Sequence, residues 1–218
     1  MILSALALAS VLRSCALREP QLLASAQVGV VEVESGAHPY ALHDNNTGRS
    51  FYPADYASAL ALANDLIAAD IAIDGRGIDV GLAQIDSHNF SRYGLTAATA
   101  LQPCRNVAVS SDMLDSTYAD ELQALRPLAA SLREYVALDR TLETYNSGVA
   151  YGAPSYTAKV EGAAQGAFAQ SVLAYWRDTA QPKGFARTMA AASRRRNPPR
   201  SCFIGCATSL PNQNQRRF

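Results

Sequence analysis

Gln21-Leu22-Leu23-Ala24-Ser25-Ala26-Gln27-Val28-Gly29-Val30-Val31-Glu32-Val33-Glu34-Ser35-Gly36 is the stretch on which the reading of the fold turns. Leu22, Ala26, Val30 and Val33 recur near helical spacing along one face, and Gly36 and Pro39 stop the run, so a helix over 21–34 is predicted. Glu34 then sits at the helix C-terminus, where the backbone dipole disfavours a carboxylate. Val28, Val30, Val31 and Val33 make its neighbourhood apolar. A Glu34 facing a cleft there is partly desolvated and its pKa raised. Glu32, two residues earlier, points to a different face of the same helix.

Outward from this stretch the chain reads as mainly helical. Leu3–Leu17 is predicted as a helix stopped before Pro20. Further helices are expected over 55–69, 106–116, 120–135 with an interruption near Pro127, 138–145, 156–162 and 167–177. Residues 41–52, with Asp44-Asn45-Asn46-Thr47-Gly48, read as a surface loop or short hairpin. Asp74-Gly75-Arg76-Gly77 is a turn, and 78–86 is extended. Of the 218 residues 49% are apolar and 17% charged, which suits one globular helical domain, 1–180, with a tail.

The formal net charge is zero, so the whole chain gives no argument for a nucleic-acid partner. Beyond Asp178 no acidic residue occurs, while Arg194-Arg195-Arg196 and Arg216-Arg217 do. Residues 181–218, rich in Pro, Arg, Asn and Ser, are expected to be a disordered basic tail. No run approaches the ~20 apolar residues of a membrane span, so no transmembrane segment is expected. Met1–Leu12 is apolar but lacks a positive start, and Arg13 follows it; it reads as the domain's first helix, which leaves the export route open. Cys15, Cys104, Cys202 and Cys206 are compatible with two disulfides; Cys202 and Cys206 either pair or stay free.

Two further segments carry chemistry. In Gly81-Leu82-Ala83-Gln84-Ile85 the Gln84 amide lies in an apolar run, where it must either bind a polar ligand or satisfy local backbone. In Thr144-Tyr145-Asn146-Ser147-Gly148, Tyr145 and Asn146 offer a ring to stack on a sugar and an amide, or else a core tyrosine and a helix cap. His38, His43 and His88 are scattered in polar loops and read as surface residues. One carboxyl flanked by neutral hydrogen-bonding groups suits acid/base chemistry on a neutral, polyhydroxylated substrate, not phosphate, metal or hydride chemistry.

In this order the segments resemble the goose-lysozyme-like lytic transglycosylases, and within them the VirB1-like branch of type IV secretion and conjugation systems. The resemblance runs through Val33-Glu34-Ser35-Gly36 with Pro39-Tyr40-Ala41, Asp79-Val80-Gly81-Leu82-Ala83-Gln84-Ile85-Asp86, Asn89-Phe90, Tyr93-Gly94-Leu95, Pro103-Cys104-Arg105-Asn106 and Tyr145-Asn146-Ser147-Gly148. It covers roughly residues 3–175.

This resemblance implies an α+β lysozyme-like fold, with a small loop or strand region lining a saccharide cleft. It implies an enzyme, without cofactor or metal, that cleaves the MurNAc–GlcNAc β-1,4 bond of peptidoglycan with 1,6-anhydro-MurNAc formation. Glu34 would be the catalytic acid/base, and Ser35, Gln84, Tyr145, Asn146 and Tyr156 would bind substrate. Cys15 and Cys104 would form a disulfide. The expected partners are glycan strands and type IV secretion components, and the expected location is the periplasm.

Two positions depart from the pattern: Ala83 stands where Met is usual, removing a wall of the cleft, and Asp86 stands where Asn is common. Two other readings compete. One is a muramidase with Asp79 or Asp86 activating water; the other is a non-catalytic, peptidoglycan-binding assembly factor.

Overall fold

The computed structural model describes residues 1–16 and 21–180. The expected basic tail, Cys202 and Cys206, and the stop before Pro20 lie outside the described residues. In chain order the elements are α1 (Ala5–Cys15), α2 (Gln21–Ser35), β1 (Leu42–Asp44), β2 (Arg49–Phe51), α3 (Tyr56–Ala72), β3 (Ile78–Val80) and β4 (Ile85–Asp86). A 3-10 turn (Ser87–Asn89), two one-turn helices α4 (Phe90–Tyr93) and α5 (Ala97–Ala100), then α6 (Pro103–Ala124), α7 (Ala130–Ser147), α8 (Pro154–Gln165) and α9 (Ala167–Ala180) follow. The architecture is thus mainly helical with one small antiparallel sheet, as expected.

The predicted central helix forms and is buried. Val28, Val30 and Val31 are fully enclosed, and α2 packs on α8, α9 and α6. A Cβ at Gly29 would lie 2.6 Å from the Val160 carbonyl oxygen. Only a residue without a side chain lets α8 come this close, and that closeness brings Tyr156 of α8 to the end of α2.

Three expected helices are redrawn. The segments 106–116, 120–135 and 138–145 are instead two helices, α6 continuous through Ala124 and α7 from Ala130 to Ser147, with Pro127 in the connection between them. Ser110 and Ser111, weak helix formers, are buried in mid-helix. Ser110 Oγ bonds Gln27 of α2 and Ser111 Oγ donates to the Ala16 carbonyl, so tertiary bonds carry the helix across the polar stretch.

The sheet has order β2-β1-β3-β4, antiparallel throughout. The 41–52 segment is therefore a hairpin. Its turn is closed by Asp44, whose carboxylate accepts from the Asn46 N–H at 2.9 Å and the Thr47 hydroxyl at 2.7 Å. Asp70, buried at the end of α3, accepts from Asn46 Nδ2 and the Gly77 N–H and ties the hairpin to β3. Cys15 at the end of α1 and Cys104 at the start of α6 form a disulfide across 89 positions.

Candidate active site

Glu34 occupies the last turn of α2, and the chain leaves that turn abruptly. Gly36 and Ala37 are both left-handed (φ 57° and 59°), with the Gly36 N–H bonded to the Glu32 carbonyl and the Ala37 N–H to the Val31 carbonyl. This nested pair of bonds closes the helix end. Ser35, beside the acid, is buried and its hydroxyl donates to the carbonyls of Val31 at 3.1 Å and Leu82 at 2.7 Å. Expected as a substrate-binding residue, Ser35 is instead turned away from the cleft, and its hydroxyl clamps the acid's helix to the 81–84 turn.

That turn is built by Gly81, at φ 85°, where a Cβ would meet Asn106 Nδ2 at 2.5 Å and the Ala100 carbonyl at 2.7 Å. The Asn106 carboxamide, fully buried, donates to the Val80 and Ala100 carbonyls and accepts from the Ala83 N–H, each at 2.8 Å. Gln84 follows at φ 47°, its Nε2 donating to the carbonyls of Ala41 at 3.0 Å and Gly81 at 2.8 Å. Gln84 thus satisfies local backbone and lines the cleft as well. Ala83 is fully buried and does not line the cleft, so the expected gap in the wall is not there. Its carbonyl accepts the Tyr145 hydroxyl at 2.6 Å, and that hydroxyl is also bonded to Ser110 Oγ at 3.0 Å.

Two cavities meet at the acid. The larger, about 560 Å³, runs between Glu34, Asp79, Asp86, Arg92, Tyr145 and Asn146. The smaller, about 280 Å³, reaches over the hairpin to His43, Ser50 and Tyr52. Glu34, Asn45, Asp79, Gln84 and Asn146 belong to both and mark the junction. Four of the expected site residues, Glu34, Gln84, Tyr145 and Asn146, thus line one groove. Tyr156 lies behind it, almost fully buried, and donates a 2.5 Å hydrogen bond to Glu34 Oε1.

Burial pushes the Glu34 carboxyl up to about 6, against the opposing pull of the Tyr156 bond and the Lys159 charge. Burial pushes Asp79 up to about 7, aided by the charges of Asp86 and Glu34 and opposed by a bond from Asn45. Sequence reasoning weighed Asp79 only as a water-activating base. The signal for its place was available in strand alternation, since Ile78 and Val80 are apolar and flank it. His38 corrects another expectation: it is buried, with Nδ1 accepting from the Tyr40 N–H, because the tight turn after α2 folds it inward. His43 and His88 remain partly or largely exposed.

Residues 15–152 match the model of the transglycosylase SLT domain. The chain is similar to protein virB1 of Agrobacterium fabrum, 37% identical over 155 residues, which are 70% of this chain and 57% of that protein. It is also similar to the virB1 protein of Rhizobium radiobacter, 36% identical over 163 residues (71% and 59%). A type IV secretion system protein virB1 of Brucella abortus is 28% identical over 148 residues (65% and 58%). The chain therefore spans less than two thirds of the length of these relatives. No solved structure gives a significant match.

Proposed function

We propose, from the premise that this chain belongs to the transglycosylase SLT domain family, that it is a lytic transglycosylase of peptidoglycan with Glu34 as its sole acid/base. The observation that carries this reading is the state of Glu34: one carboxyl, raised to about 6, held by Tyr156 at the junction of two cavities. A carboxylic acid that keeps its proton near neutral pH is suited to donating it to a glycosidic oxygen.

The reaction needs two proton transfers and no water. Protonated Glu34 gives its proton to the glycosidic oxygen leaving C1 of N-acetylmuramic acid, and the C1–O bond breaks. The resulting carboxylate removes the proton of the muramyl C6 hydroxyl, whose oxygen closes on C1. The products are a 1,6-anhydromuramyl end and a free C4 hydroxyl on N-acetylglucosamine, with Glu34 protonated again. Tyr156 holds Oε1 of Glu34 through both transfers, leaving Oε2 for the substrate.

A muramidase would need a second, ionised carboxylate to activate water. Asp79 lines the same groove, but its carboxyl at about 7 keeps its proton as readily as Glu34 does, which counts against that role. Asp86 remains as the alternative base. Mass spectrometry of peptidoglycan digested by the purified chain decides between them. Anhydromuropeptides that vanish with Glu34→Gln are expected; reducing ends alone would make it a hydrolase. Equal clearing by both proteins would remove Glu34 from the chemistry, and no clearing by either would favour a binding module.

The name of the Brucella abortus relative places that protein in a type IV secretion system, and by that analogy the cleavage would open the wall locally for such an assembly in the cell envelope. Among the described residues no helix is long and apolar enough to cross a membrane. Residues 1–180 would act as the catalytic domain, and deleting 181–218 while following wall cleavage and secretion separately tests the tail's part.

A further inference from the structure

The reaction uses Glu34 and has no part for another buried carboxyl, that of Glu143 on α7. Glu143 is only 3% exposed, and among the described residues no ion pair includes it. A carboxyl so enclosed costs stability unless a polar group receives it. The start of α8 does so: Glu143 Oε2 accepts from the Ala153 N–H at 3.3 Å. That end of α8 needs an outside partner, because Ala153 stands at its N-cap with no side-chain oxygen and Pro154 follows without an N–H. The positive end of the helix dipole also favours a carboxyl there. Glu143 and the groove-lining Tyr145 lie two positions apart on α7, so their side chains leave that helix on opposite sides, one toward α8 and one toward the cleft.

Both groups that oppose burial at Glu34 are carried on α8: Tyr156 through its hydrogen bond, and Lys159, one turn on, through its charge. The other titratable groups coupled to Glu34 are Asp79 of β3 and Tyr145 of α7. The middle of α8 is fixed on α2 where Val160 meets Gly29. The Thr157 hydroxyl adds a long bond to the Asp139 carbonyl at 3.4 Å. Tyr156 is the third residue of α8, between these contacts and the Glu143 bond at the helix start. Its N–H closes the first turn on the Ala153 carbonyl at 2.9 Å. A helix held at its middle alone can pivot there, and its first turn then shifts. The bond at Ala153 removes that freedom.

Resting on the reading of Glu34 given above, we propose that Glu143 is a positioning residue: its carboxyl holds the first turn of α8, and through that turn it sets the Tyr156 hydroxyl against Glu34. It touches no substrate. Glu143 therefore acts on the protonation of the acid and on the rate of the chemical step, not on how tightly glycan is held.

Two variants of the full chain test this. Glu143→Gln keeps an oxygen for the Ala153 N–H; Glu143→Met keeps the volume and offers none, and Glu143→Ala replaces it if the methionine variant does not fold. The Glu34 carboxyl carbon is followed by NMR across pH, without substrate. In Glu143→Met the Glu34 pKa is expected to rise by at least about 0.5 above its place near 6, and in Glu143→Gln to stay there. On glycan strands Glu143→Met is expected to lower kcat about three- to tenfold with KM within about twofold, and Glu143→Gln to restore kcat. In a Tyr156→Phe background Glu143→Met is expected to change kcat less than about twofold, whereas a mere loosening of the fold costs activity in both backgrounds. An unmoved Glu34 titration in Glu143→Met overturns the proposal, as do equal kcat losses in both backgrounds or a glutamine variant that behaves like the methionine one. Absence of anhydro products from the unaltered chain overturns the Glu34 reading alone, because the carboxyl titration needs no turnover.

Discussion

The Tyr156 hydroxyl and Glu34 Oε1 are joined by a 2.5 Å hydrogen bond that spans 122 positions of sequence. The bond favours the ionised acid, whereas burial favours the neutral one and is the larger effect. Tyr156→Phe removes one of the two influences that oppose burial and leaves only the Lys159 charge against it, so the Glu34 pKa rises further above 6. Proton donation requires the neutral acid, so the alkaline limb of the pH–rate profile moves to higher pH. The maximal rate falls by roughly ten- to a hundredfold, because Oε1 loses its anchor. A full pH–rate profile of variant and parent checks both parts, and an unmoved limb would show that the bond does not tune the acid.

Glu34→Gln should trade activity for stability. The folded protein binds the Glu34 proton more tightly, about 6 against the ordinary 4.5, so it holds more protons than the unfolded chain between those values. Stability is therefore lost as pH rises through that window. Glutamine carries no charge to bury and can still accept the Tyr156 hydroxyl. The variant is expected to be more stable at pH 8 by about 1–2 kcal/mol, with the gap closing below pH 4.5. Cleavage should drop on the order of a thousandfold. Urea titrations at pH 4 and pH 8 measure the difference.

Asn106→Ala should cost more than a typical core substitution. Its buried carboxamide makes three backbone bonds that hold the 81–84 turn, and alanine removes all three. A loss of about 3 kcal/mol or more is expected in chemical denaturation. Saccharide binding should weaken with it, because Gln84 is carried on that turn.

Reducing the Cys15–Cys104 disulfide frees a long loop that includes α2, the whole sheet and α3. The expected loss is about 2–5 kcal/mol, seen as a lower melting temperature with dithiothreitol and reproduced by Cys15→Ser/Cys104→Ser.

The acid and its turn were legible because their signals are local. Glu34 precedes a helix-ending glycine by two residues, and the Gln84 turn lies within one short segment. The sheet was only half legible. A hairpin over 41–52 and an extended 78–86 could be read separately, but α3 separates β1 from β3, and no local pattern says that His43 will lie opposite Asp79.

The extent of α6 differs from the expected one at 117–119, where a break is expected between two helices and the structure keeps a single helix, with Tyr118 of that stretch buried in the core. The family resemblance puts Ser35 among the substrate-binding residues. On a helix, adjacent side chains diverge by about 100°, and that rotation sends the serine to Leu82 and the glutamate to the groove. Tyr156, which touches the acid directly, lies beyond the 15–152 span of the family match.

The junction of the two cavities at Glu34 carries a consequence for where a polymer is cut. A dead-end pocket accepts only a terminus and shortens its substrate stepwise. Here space continues past the acid toward Arg92 on one side and toward Tyr52 on the other. On the proposed function, a strand lying across the site with neither end engaged would be cut in its interior. Such cuts would shorten a long strand faster than trimming from its ends does.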